Sequence, residues 1–147
     1  MTRREAREQA FCLLFEKTFK DQDPLEEIIA DAAEDGAPAI DPFALTVTRG
    51  VLENRTTLDQ KIEALARGWK LTRLPRVTLS LLRLAMYEML MAADIPISVS
   101  INEAVELAKK YATEDDASYL NGVLAALATE LGESKEPGKP REAGAQA

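Results

Sequence analysis

The stretch PRVTLSLLRLAMYEMLMA, residues 75–92, decides the fold. Val77, Leu81, Leu82, Leu84, Ala85, Met89 and Leu90 recur at helical spacing and spread around most of the circumference, so the stretch reads as a helix apolar on most sides. Such a helix is stable only when other elements cover it from several directions. It is the centre of a bundle, and the chain on either side has to supply the cover.

Both flanks read as helices. Downstream, Asp94-Ile95-Pro96 is a turn, and helices are expected over 98–112 and 117–131. Upstream, Trp69, Leu71 and Leu74 are expected to anchor a connection in the core, just after Gly68 ends a helical pattern. That pattern starts at Asp41-Pro42 and runs through Val51, Leu52, Leu58, Ile62 and Leu65 to Ala66. Polar and β-branched residues over 54–57 should break or kink it. Asp23-Pro24 carries the same signal, an N-cap followed by proline at the first helical position, for a helix that Gly36 and Pro38 stop after Asp35. Residues 3–20 place Ala6, Ala10, Phe11, Leu13, Leu14, Phe15 and Phe19 on one very wide arc, which predicts a mostly buried helix. The longest strand-like alternation, ISVSI over 97–101, has no partner to pair with. The expectation is an all-α protein, one compact bundle of six to seven helices over residues 1–132. The segment ESKEPGKPREAGAQA, residues 133–147, has no apolar periodicity and is expected to be a disordered, dispensable tail.

The bulk composition narrows the function. The chain has 147 residues, a single cysteine, no histidine and a net charge of −7. A signal peptide and a membrane-length apolar run are both missing from the pattern, which leads to the expectation of a soluble, cytoplasmic protein in a reducing compartment without a membrane partner. Lack of histidine removes the commonest acid–base group and the commonest metal ligand. No Gly-rich phosphate loop, nucleophile elbow or HExxH is present, so neither catalytic residues, a metal nor a cofactor is expected. Cys12 sits among large apolar residues and reads as core filler. Paired acids such as Asp115-Asp116 read as solvated helix caps.

One feature does not fit a purely structural account. Arg3, Arg4 and Arg7 occupy the first turns of the first helix, where the macrodipole disfavours cations. At about 100° per residue they fall within a sector of roughly 100° and can address one ligand. Pairing with Glu5 or Glu8 is the plain alternative, worth only about 0.3–0.5 kcal/mol per pair. A phosphate suits the arrangement better, because helix N-terminal amides and guanidinium forks both bind its oxygens.

Three blocks, in order, carry a resemblance. IPISVSINEAVELAKKYATEDDASYLNGVLAAL resembles the C-terminal signature of the NusB family of bacterial antitermination factors. LLRLAMYEML is similar to the family's central run, and RREAREQAFCLLF to its Arg-rich first helix. The likeness spans about residues 3 to 130; only 20–68 is anonymous. It implies a helical bundle of two subdomains that binds boxA, a short single-stranded element of nascent ribosomal RNA. It further implies action with NusE, a small-subunit ribosomal protein, on the elongating RNA polymerase. In that family the RNA site joins the starts of the first and last helices, which here supply Arg3, Arg4 and Arg7, then Asp115, Ser118 and Tyr119. The chemistry is sensible: arginines hold phosphates, an aromatic stacks a splayed base, and a carboxylate accepts hydrogen bonds from base amino or imino groups. Glu5 interrupts a basic run that is often longer in the family. Reversing all three arginines to glutamate is expected to leave the fold intact, since acids suit a helix start.

Asn102 and Glu103 are expected to open a helix, Asn121 and Gly122 to let two helices approach closely, and Glu88 to need a buried partner that the sequence does not name. Two alternatives stand beside RNA binding: a helical protein-interaction module without RNA affinity, and a relative of the N-terminal domain of ribosomal RNA cytosine methyltransferases. The latter carry a large cofactor-binding domain after this one, and the expectation is that this chain has no room for it. Monomer and homodimer are both left open.

Overall fold

The computed structural model describes residues 1–132, and the tail expected over 133–147 lies outside the described residues. Seven α-helices follow one another: α1 (Arg3–Phe19), α2 (Leu25–Glu34), α3 (Pro42–Glu53), α4 (Arg55–Leu65), α5 (Arg76–Met91), α6 (Ile97–Tyr111) and α7 (Glu114–Glu130). A short 3-10 helix, Leu71–Arg73, sits between α4 and α5. There is no strand among the described residues, and ISVSI forms the first turns of α6.

The central position of α5 follows from its sequence. It packs against α1, α3, α4, α6 and α7, and Leu81, Leu82, Met86 and Met89 are fully buried. Each such side chain contributes about 1.5–3 kcal/mol by leaving water. Around it, α1 and α3 pack on each other, while α6 and α7 form the second pair, with α4 reaching both α5 and α7. Where α3 crosses α5, a Cβ on Gly50 would sit 2.3 Å from the Tyr87 ring. That close approach belongs to Gly50, not to Gly122, which is exposed and faces open space.

Asp41 caps α3 by accepting from the Phe43 amide at 2.8 Å, with Pro42 at the first helical position. At α2 the frame shifts by one residue: Pro24 itself is the cap position, and Asp23 makes no capping bond. The expected break near 54–57 is real. Asn54 ends α3, and its side chain donates to the Gly50 carbonyl at 2.8 Å. The last helix begins three residues before Ala117, because Thr113 and Asp116 form a reciprocal capping box. Such a box satisfies two otherwise orphaned backbone donors.

Three packing expectations need correction. Trp69 is not in the core; it is 51 % exposed. Gly68, with φ +81°, turns the chain in a conformation that side chains disfavour, and buried Leu74 anchors the connection instead. Cys12 is on the surface, not core filler. Asn102 and Glu103 do not open α6, which starts five residues earlier, and Glu103 faces α1.

Candidate nucleic-acid interface

The start of α1 is capped before the arginines enter. Thr2 accepts from the Glu5 amide at 3.1 Å, and the Glu5 carboxylate accepts from the Thr2 amide at 2.7 Å. These bonds hold the Glu5 carboxyl below its ordinary pKa, because they favour its charged form. Glu5 therefore supplies the acid that the dipole favours. The interruption of the basic run is the cap.

The three arginines then part company. Arg7 is buried, 4 % exposed, and grips fully buried Glu88 through two bonds, Nε to Oε2 at 2.7 Å and Nη2 to Oε1 at 3.1 Å. Ser100 of α6 donates to the same carboxylate at 2.9 Å. This names the buried partner of Glu88, and it removes Arg7 from the surface that a phosphate could reach. Arg4 forks onto Glu103 of α6, with bonds of 3.1 and 2.7 Å, yet its side chain stays 66 % exposed. Arg4 and, more weakly, Arg7 hold the Glu103 carboxyl below its ordinary pKa. Arg3 lies 4.0 Å above the Phe43 ring, a cation–π contact on the surface. The dipole conflict is thus answered inside the protein: Glu103 and Glu88 meet Arg4 and Arg7, whereas sequence spacing had offered Glu8 and Glu5. Arg3 alone of the three has no anionic partner among the described residues.

Glu8 is engaged elsewhere. It accepts from Lys110 at 2.6 Å and from the Tyr111 hydroxyl. The Tyr111 ring packs on Phe11 at 5.0 Å between centroids. Those bonds lower the Glu8 pKa and push that of Tyr111 well up. They tie the middle of α1 to the end of α6, just before Thr113 caps α7. Cys12 borders this junction, and partial burial raises its pKa.

On α7, Asp115 and Ser118 are exposed in the first turns, with Tyr119 half-buried beside them. The Tyr119 hydroxyl is buried without a hydrogen-bond partner among the described residues, and burial raises its pKa. Its ring stands edge-on to Trp69, 6.3 Å between centroids at 67°. The six expected site residues therefore fall into two surface clusters, Arg3 with Arg4 and Asp115 with Ser118 and Tyr119, plus buried Arg7. No described contact joins the clusters directly; the Glu8–Lys110–Tyr111 junction ties α1 to the end of α6. Trp69 stands beside this second cluster, in the stretch RGWKLTR, residues 67–73, which displays an aromatic among cations. Among the described residues no group of three acidic or thiol side chains could hold a metal, and no helix is long and apolar enough to cross a membrane.

The sequence profile of the NusB family matches residues 4–129. The transcription antitermination protein NusB of Geobacter sulfurreducens is 44 % identical over 131 residues, covering 88 % of this chain and 95 % of that protein. The protein of the same name from Heliobacterium modesticaldum is 40 % identical over the whole of this chain and 72 % of its own length. Among solved structures, T. maritima NusB superposes with a TM-score of 0.79 at 36 % identity, covering 88 % of this chain and 92 % of that one. A complex of antitermination factors NusB and NusE with dsRNA has a TM-score of 0.76 at 25 % identity, covering 86 % and 96 %.

Proposed function

The chain belongs to the NusB family, and from that premise we propose that it is a non-enzymatic RNA-binding antitermination factor. It binds the boxA element of nascent ribosomal RNA together with NusE, and holds that RNA on the elongating RNA polymerase. The observation that carries this function is the relative of the same fold captured with NusE and RNA together.

The geometry supports a division of labour. Arg3 and Arg4, exposed at the start of α1, contact phosphates; a guanidinium fork already turned to a carboxylate is equally suited to a phosphate. Tyr119 offers a ring to a splayed base, and Asp115 and Ser118 offer hydrogen bonds to base edges. Arg7 acts from beneath. By holding Glu88, it fixes α1 against α5 and so positions Arg3 and Arg4.

The test is a binding titration with single-stranded boxA RNA, a scrambled strand and a duplex, each with and without NusE. Tight, sequence-dependent binding to boxA that NusE strengthens supports the function. Binding to NusE without any RNA affinity would assign the protein to the class of interaction modules.

A further inference from the structure

We propose that Trp69, flanked in sequence by Arg67, Lys70 and Arg73, extends the RNA track beyond Tyr119 and stacks a base of single-stranded RNA. The proposal rests on the RNA-binding function above and adds a stacking residue and three phosphate contacts to its site.

Four observations point this way. Trp69 is a large apolar side chain left 51 % exposed, on a connection whose anchoring is done by Leu74. Its one aromatic neighbour among the described residues is Tyr119, met edge-on at 67°. That contact leaves at least one face of the indole uncovered. The chain carries a net charge of −7, yet residues 64–87 contain no acid and five cations. Two of those are occupied: Arg76 with the Thr18 carbonyl and the Phe19 ring, and Arg83 with Asp59. Arg67, Lys70 and Arg73 are exposed and make no ion pair among the described residues. All three lie within four residues of Trp69 in sequence.

This is the chemistry of a single-strand track: an aromatic face for a base and cations along the backbone. A protein-docking surface calls for a contiguous apolar patch. The neighbours of Trp69 along the chain, by contrast, are Arg67, Gly68 and Lys70, all exposed. A base needs ring surface open to solvent, and about half of this side chain is exposed.

Trp69 is the sole tryptophan of the chain, so its emission reports on the site directly. The folded protein with NusE is titrated with single-stranded boxA RNA, with the Trp69→Phe variant as the spectroscopic blank. Saturable quenching of the Trp69 signal at the RNA-binding midpoint is expected. Trp69→Ala should weaken RNA binding about 5- to 150-fold, and Trp69→Phe far less, because stacking needs a ring. Replacing Arg67, Lys70 and Arg73 by glutamine should flatten the dependence of log affinity on log salt by about 0.7 per lost contact. The proposal is overturned if RNA binds while the Trp69 emission and the Trp69→Ala affinity stay unchanged; the RNA-binding function would survive that result. It is equally overturned if NusE alone produces the whole emission change, which would make the indole a protein contact. Failure of the wild-type protein to bind boxA at all sinks the underlying function instead. The emission measurement uses only folded protein, so it decides the matter even if Trp69→Ala loosens the fold.

Discussion

Arg7 of α1 and Glu88 of α5 form a doubly hydrogen-bonded ion pair in the protein interior, 81 residues apart in sequence. Removing one partner strands a charge in a medium that cannot solvate it. Arg7→Ala is therefore expected to destabilise the protein by about 3–5 kcal/mol, whereas replacing both residues with apolar side chains of similar volume should cost far less. Urea unfolding of the two single variants and the double variant measures the coupling. Additive losses would show that the pair does not act as a unit.

The surface arginines should behave in the opposite way. Arg3→Gln with Arg4→Gln removes one cation–π contact and one solvent-screened ion pair, which should leave stability almost unchanged. The same double variant should flatten the salt dependence of RNA binding by about 1.4 in log–log slope. The structure also reverses the expectation that all three arginines tolerate glutamate. Arg7→Glu would press a second carboxylate against Glu88, and loss of the cooperative thermal transition is the expected outcome. A triple glutamate variant that melts normally would refute this account of the core.

Tyr119 separates ring from hydroxyl. Its ring is the proposed stacking platform, while its hydroxyl is buried without a partner among the described residues. Tyr119→Phe should leave RNA affinity unchanged and stability equal or higher, since an unsatisfied buried polar group is costly. Tyr119→Ala should weaken binding by about 1–3 kcal/mol. Equal RNA losses from both variants would instead assign the hydroxyl a direct contact.

Glu103 makes stability depend on acid. Its folded pKa lies below the ordinary value of 4.5, chiefly because Arg4 donates to it. Between the folded value and 4.5 the unfolded chain binds the extra proton, so stability rises with pH there and is complete above it. Acidification through that window should lower the melting temperature. Glu103→Gln should blunt the fall, and a pH profile identical to wild type would show that the pair contributes nothing to it.

Periodic, local features were legible without a structure. The apolar circumference of residues 75–92 required a central helix, Asp41-Pro42 marked a helix start, and the polar break fell at Asn54. These depend on residues within a few positions of one another, and their physics is helical geometry and capping. Of the exposed candidate residues, Arg3 and Arg4 stood out by their charge at a helix start, whereas Asp115 and Ser118 were implied only by the family resemblance.

Partnerships across the fold were not. Arg3, Arg4 and Arg7 look equivalent at helical spacing, yet one lies over Phe43, one reaches Glu103 and one is sealed against Glu88. Which partner each meets depends on where α3, α5 and α6 pass α1, and spacing within α1 holds no record of that. Trp69 fails for the same reason: hydrophobicity argued for burial, but Gly68 turns the chain so that Leu74 fills the core and the indole stands beside Tyr119. Helical identity is a property of neighbours in sequence. Burial, ion pairing and the sharing of a surface are properties of neighbours in space, and only the packed structure brings those together.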